Sequence, residues 1–264
     1  MNENEPKGER IPPEEFGEQV RNGSPDALRA FAQDPQLDEG RAVLLLARKD
    51  LPGDLIEDIA RHKALLKSYA LKKALVLHPH TPRLVSLRLL RDLYLMDLVQ
   101  LTLAPGALAE LKRNAEEQLI ARLPQLPLGQ KITLARRGPG RVAGALLAEG
   151  HEQVLRVVLD NSNLSEAHVL KALSRSKLMP RVVETISQHS KWSHSYNVRL
   201  ALVRQPATTL STVLSYLPEL TVSDLRELTT PGVVPENFRR YLQAEIQRRI
   251  RKVEKPKMER EKGS

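Results

Sequence analysis

The stretch YNVRLALVRQPAT (Tyr196 to Thr208) has a counterpart 127 residues earlier, YALKKALVLHPHT (Tyr69 to Thr81), with Tyr, Ala-Leu-Val, Pro and Thr in register. Each reads as one apolar helix stopped by a proline-containing turn. Extending the register outward, residues 16–102 set against 143–229 give 26 identities in 87 pairs. The matches fall where packed helices need aliphatic side chains: Leu37 with Leu164, Leu46 with Leu173, Ile59 with Ile186, Leu75 with Leu202, Leu98 with Leu225. A one-residue shift then aligns PGALAE (Pro105 to Glu110) with PGVVPE (Pro231 to Glu236). The reading is an internal duplication at an offset of 127, each copy holding about seven helices. A segment from about Leu123 to Gly140 joins them as a turn and one more helix.

Composition points the same way. Of 264 residues 41% are apolar, enough for a core, yet aromatics make up only 3%. Leu, Ala and Val dominate, which favours helices packed through aliphatic ridges over sheets of β-branched and aromatic residues. No segment alternates apolar and polar residues between hairpin turns, so an all-α fold is expected. Helix starts are written at Ser24-Pro25, Thr81-Pro82, Thr221 with Asp224 as a capping box, and Pro235-Glu236. The helical segments run to about ten to sixteen residues.

Short amphipathic helices in long succession cannot each bury an apolar face alone, and stacking neighbours gives them one extended core. The expected fold is therefore an α-solenoid. Its organisation reads as a disordered N-terminus over 1–11, a first half over 12–122, a connecting helix and break over 123–142, a second half over 143–252, and a disordered basic tail over 253–264. Three stretches carry a family resemblance: ALVRQPATTLSTVL (Ala201 to Leu214), ALVLHPHTPRLVSL (Ala74 to Leu87) and VVLDNSNLSEAHVL (Val157 to Leu170). They resemble bacterial HEAT-like repeats of the leucine-rich-repeat-variant type, over roughly residues 24–250. The resemblance implies a right-handed superhelix of short helical repeats that serves mostly as a protein-binding scaffold. This chain departs from the pattern by placing His78 or Gln205 where the family's turn has Asn.

The chain has no cysteine, which excludes disulfides, thiolate metal sites and cysteine nucleophiles. Its first residues form no apolar leader and no run of about eighteen apolar residues occurs, so a cytoplasmic location without membrane association is expected. His62 and His189 are equivalent and end Ile-x-x-His sequences, which places them as helix C-terminal caps. His78 and His80 flank Pro79, and no histidine pair has ligand spacing, so neither a metal nor a cofactor is expected. Glu57/Glu184, Glu39/Glu166 and Asp97/Asp224 recur in both copies, which points to capping rather than catalysis. With no nucleophile turn or phosphate loop, no enzymatic activity is expected; Gly138-Pro139-Gly140 reads as a helix break with basic neighbours. Trp192 stands where the other copy has Leu65 and reads as core packing.

The formal charge is +9, and residues 248–264 carry eight basic against three acidic side chains. Cationic residues in the second copy are the candidate partner-binding surface: Arg136, Arg137 and Arg141 at the central break, then Lys171, Arg175, Lys177, Arg181, Arg199 and Arg204. On a concave solenoid face such residues would meet a protein or peptide partner. The alternative is nucleic acid in a cationic groove, as some HEAT-like solenoids hold duplex DNA, although few aromatics are interleaved to stack bases.

Overall fold

The computed structural model describes residues 13–175 and 178–261. The expected disordered segment at 1–11 and the last residues of the expected tail, 262–264, lie outside the described residues, as does Lys177. Among the described residues all regular structure is helical. The contacts divide the chain into two compact units, residues 1–121 and 122–264.

The first unit holds α1 (Pro13–Asn22), α2 (Pro25–Gln33), α3 (Glu39–Ala47), α4 (Gly53–Arg61), α5 (Tyr69–Leu77), α6 (Arg83–Leu89), α7 (Leu95–Leu103) and α8 (Ala109–Arg122), the last residue of α8 lying past the boundary. The second holds α9 (Leu128–Arg137), α10 (Gly140–Glu149), α11 (Glu152–Leu159), α12 (Glu166–Leu173), α13 (Pro180–Gln188), α14 (Tyr196–Arg204), α15 (Leu210–Tyr216), α16 (Val222–Leu228) and α17 (Glu236–Glu261). Inside each unit, packing runs between next-but-one helices: α1 on α3, α2 on α4 and α3 on α5, then α9 on α11, α10 on α12, α11 on α13 and α12 on α14. Fully buried Leu45, Ile56, Ile59 and Leu75 fill the first unit; Leu146, Val158, Ile186 and Leu202 fill the second. Each such side chain contributes about 1.5–3 kcal/mol on leaving water.

Most helices have seven to ten residues rather than ten to sixteen. Two features shorten them. Single 3-10 turns at Leu65–Lys67, Leu90–Asp92, Trp192–His194 and Leu217–Glu219 take up residues that the apolar period would assign to helix. The chain also leaves many helices through a cap in extended conformation, as at Asp34, Arg48, His78 and Gln205. Gly150, at φ 75°, is the left-handed cap, at the end of α10.

An extended exit leaves last-turn carbonyls without a donor from their own chain segment. Side chains from the helix two positions on supply it. Arg48, ending α3, donates to Val20 O and Gly23 O at 2.9 and 3.2 Å. His62, ending α4, bonds Ala32 O at 2.9 Å, and His78, ending α5, bonds Arg48 O at 2.8 Å. In the second unit Asn161 donates to Ala135 O and Gly138 O at 2.8 and 3.1 Å, and Gln205 donates to Leu173 O and, at 3.4 Å, to Arg175 O. Trp192 is buried and its indole N–H meets Leu159 O at 3.0 Å.

Local chemistry differs from the sequence reading at three places. Ser24 caps α2 through a bond from Ala27 N at 3.3 Å, but Thr81 does not cap α6, whose cap residue is Pro82. Thr81 instead donates to Leu75 O at 2.5 Å, because the His-Pro turn folds its hydroxyl back onto an open carbonyl. Thr221 Oγ1 accepts from Asp224 N at 3.1 Å, while Thr221 N donates to Tyr196 Oη at 3.0 Å instead of to the Asp224 carboxylate. The tyrosine already occupies that donor, so half of the capping box is absent. Finally, α17 continues over 253–261, where a disordered tail is expected; Lys, Arg, Glu and Met there are good helix formers.

Candidate functional site

The seven cationic candidates all belong to the second unit. Arg136 and Arg137 occupy the last turn of α9 and are exposed; Arg141, in the first turn of α10, is half-buried. Lys171 is exposed on the last turn of α12, and Arg175 is exposed just beyond it. Arg199 is different. It is 9% exposed, pairs with Glu219, donates to Ser193 O at 2.5 Å, and lies 5.5 Å over the Tyr216 ring. Arg204 pairs with Glu227 at 2.7 Å.

The helix ends sort these residues into two groups. Gly140, opening α10, sits against the His168 ring and Asn163 O, so α10 and α12 start side by side. Ser195, capping α14, donates to Glu166 at the start of α12, and Gln205 after α14 reaches the carbonyls at the end of α12. Arg136, Arg137 and Arg141 therefore lie at the starting end of the α10, α12 and α14 layer. Arg175 and Arg204 lie at its finishing end, and Arg199 is held inside.

A groove of about 560 Å³ opens beside Arg199. Hydroxyls of Ser193, Ser211, Thr212 and Ser215 line it together with Arg199 and Glu219. At the same register the first copy has Leu66, Leu84, Val85 and Arg88. The first unit has instead an apolar crevice of about 230 Å³, walled by Leu77, Pro79, Leu101, Ala104, Leu108 and Leu111. Around it stand leucines that face water, Leu84 at 81%, Leu108 at 57% and Leu103 at 47% exposure. The Arg83–Glu110 ion pair at 2.5 Å holds the first turns of α6 and α8 together, which brings Leu84 near Leu108. Where the first copy has Leu77, Leu84 and Leu103, the second has Arg204, Ser211 and Thr230. These mismatches in the 127-residue register mark both faces in the sequence, but they stand out only once the contacts separate surface from core.

Side chains that resemble reactive pairs have structural employment. Ser165 Oγ lies 2.8 Å from His168 Nδ1, and that nitrogen also accepts Ser165 N–H at 3.2 Å, as the capping box of α12. His189 Nε2 meets Asp160 Oδ1 at 3.1 Å at the end of α13. The N-terminus of α10 at Gly140 is covered by the His168 ring, which leaves no room there for a phosphate. Among the described residues no three His, Asp or Glu side chains converge as a metal site, and no helix is long and apolar enough to cross a membrane. Tyr69 bridges two helices, donating to Asp97 and accepting Tyr94 N–H at 2.9 Å; burial and the Asp97 bond push its phenol up to about 12. Tyr196 makes the same pair of bonds with Asp224 and Thr221 N. Hydrogen bonds from Thr221 and Tyr196 hold the Asp224 carboxyl below the usual carboxylate range.

No protein-family model, curated protein or solved structure gives a significant match to this chain.

Proposed function

We propose that the chain is a non-enzymatic α-solenoid scaffold, built by duplication at an offset of 127 residues, that binds a protein or peptide partner. One observation carries the reading. In each unit the carbonyls ending one helix are taken by a side chain from the helix two positions on, a pattern that stacks repeats without closing a globule. Equivalent positions make these bonds in both units: His78 and Gln205 both reach the carbonyl of an equivalent arginine, Arg48 and Arg175. The tyrosine bridges of Tyr69 and Tyr196 recur in the same way, as do the Lys72–Asp92 and Arg199–Glu219 ion pairs. Repeats of this build resemble HEAT-like scaffolds, whose faces serve partners.

The cationic residues support a nucleic-acid groove less well. Arg199 and Arg204 already hold Glu219 and Glu227, and the remaining arginines lie at opposite ends of one helix layer.

Crosslinking of the full chain in cell extract, read by mass spectrometry with and without nuclease, tests the proposal. Specific capture of a polypeptide, resistant to nuclease, is the expected result. A folded chain that captures no polypeptide refutes it, and so does capture that nuclease abolishes.

A further inference from the structure

The apolar crevice of the first unit narrows the scaffold reading, on which this inference rests, to a partner of definite chemistry. We propose that the crevice walled by α5, α6, α7 and the start of α8 docks a segment of a partner protein that carries leucine or phenylalanine anchors flanked by acidic residues.

Volume is the first argument. At about 230 Å³ the crevice falls below the roughly 300–1,000 Å³ of small-molecule sites and suits a large side chain. Its polar wall groups are engaged within the chain: His78 with Arg48 O and His80 N, and Thr81 with Leu75 O. What remains open is aliphatic. The rim is the second argument, since Leu84, Leu103 and Leu108 extend the apolar surface into solvent, and a soluble surface does not ordinarily gather such residues without use. The equivalent positions Arg204, Ser211 and Thr230 show that the architecture does not require leucines there.

Charge then selects the partner. One helical turn beyond Leu84 stands Arg88, and one turn beyond Leu108 stands Lys112, followed by Arg113. Among the described residues, none of these three cations has an ion-pair partner, whereas the nearby carboxylate of Glu110 is held by Arg83. An apolar floor edged by unpaired cations complements anchors with acidic flanks.

The test uses the full chain and fluorescence anisotropy with three labelled synthetic peptides of about fourteen residues. One carries Leu and Phe anchors with Glu flanks, the second the same anchors with Lys flanks, and the third Glu flanks with Ala at the anchors. The first peptide is expected to bind at least about tenfold tighter than the other two. The double variant Leu84→Ser, Leu108→Ser should lose about tenfold of that affinity with an unchanged circular-dichroism spectrum. Arg88→Glu with Lys112→Glu should transfer the preference to the Lys-flanked peptide.

Absence of binding, equal binding of all three peptides, or affinity indifferent to both double variants overturns the inference. So does sedimentation showing that Leu84 and Leu108 hold two copies of the chain together. The scaffold reading is separable from it: crosslinking that captures the same polypeptide with wild type and with the double leucine variant keeps the scaffold and removes the crevice.

Discussion

His78 gives the sharpest test of the carbonyl bonds between helices. Its ring is 4% exposed, Nε2 donates to Arg48 O at 2.8 Å, and Nδ1 accepts His80 N–H at 3.2 Å, which defines one neutral tautomer. His78→Leu leaves the Arg48 carbonyl and the His80 N–H without those partners, at a cost of about 1–3 kcal/mol. The midpoint of unfolding should drop by roughly 4–8 °C for each kcal/mol. His78→Gln keeps a side-chain N–H in place, as Gln205 does in the second unit, and should cost under about 1 kcal/mol.

The same residue carries a pH dependence. Burial pushes the His78 ring below the ordinary histidine value. As pH falls, the unfolded chain takes up the proton first. His78 therefore contributes its full stability above about pH 6.5 and loses it as pH falls toward its depressed native value, with a slope of at most about 1.4 kcal/mol per pH unit. His78→Gln should flatten that decline. Urea unfolding followed by far-ultraviolet circular dichroism between pH 8 and pH 4.5 makes the measurement, since the only Trp, Trp192, reports on the second unit. If Gln costs as much as Leu, the bond to Arg48 O is not what His78 contributes; if the pH slope survives in His78→Gln, another group titrates.

Tyr69→Phe removes a donor to Asp97 and an acceptor for Tyr94 N–H, and should destabilise by about 1–2 kcal/mol in urea. Because its phenol is raised to about 12, the wild-type contribution should persist to near pH 10 and disappear as pH climbs past it, visible in a spectrophotometric phenol titration. Gly140→Ala drives a methyl group into the His168 ring and the Asn163 carbonyl, for a loss of about 1–3 kcal/mol by thermal unfolding. Arg199→Glu sets a carboxylate against Glu219 in a buried position and should cost several kcal/mol. Arg136→Glu, on an exposed turn, should stay within about 0.5 kcal/mol, so the two separate a structural arginine from a surface one.

Helical content was legible because Leu, Ala and Val recur at helical spacing, and leucines such as Leu75 and Leu202 are buried as that spacing implies. Helix lengths were less so. Apolar periodicity runs smoothly through the turn at Leu90–Asp92, where Leu90 is buried in a 3-10 turn rather than in helix. Thr81 shows a second limit: a Thr-Pro pair reads as a helix start, and only the fold reveals an open carbonyl within its reach. The candidate cations show a third. Charge composition does not distinguish Arg199, held by Glu219, from Arg137, exposed at a helix end, because pairing depends on which helices stack. The apolar crevice was hidden for the same reason: a leucine in an amphipathic helix reads as core until its exposure is known.

The bonds that join successive layers have a direction. In each long-range case a later side chain donates to an earlier carbonyl: Arg48 to Gly23, His78 to Arg48, Asn161 to Gly138, Gln205 to Leu173, and Arg249 in α17 to Leu217 and Leu220. Each layer is thus finished by the one synthesised after it, never by the one before. A chain emerging N-terminus first can set its layers in order, holding open only the acceptors of the newest helix. Shortening either unit from its C-terminal side exposes carbonyls whose donors have gone, whereas shortening from the N-terminal side strands donors on Arg, His, Asn or Gln side chains that can rotate toward water.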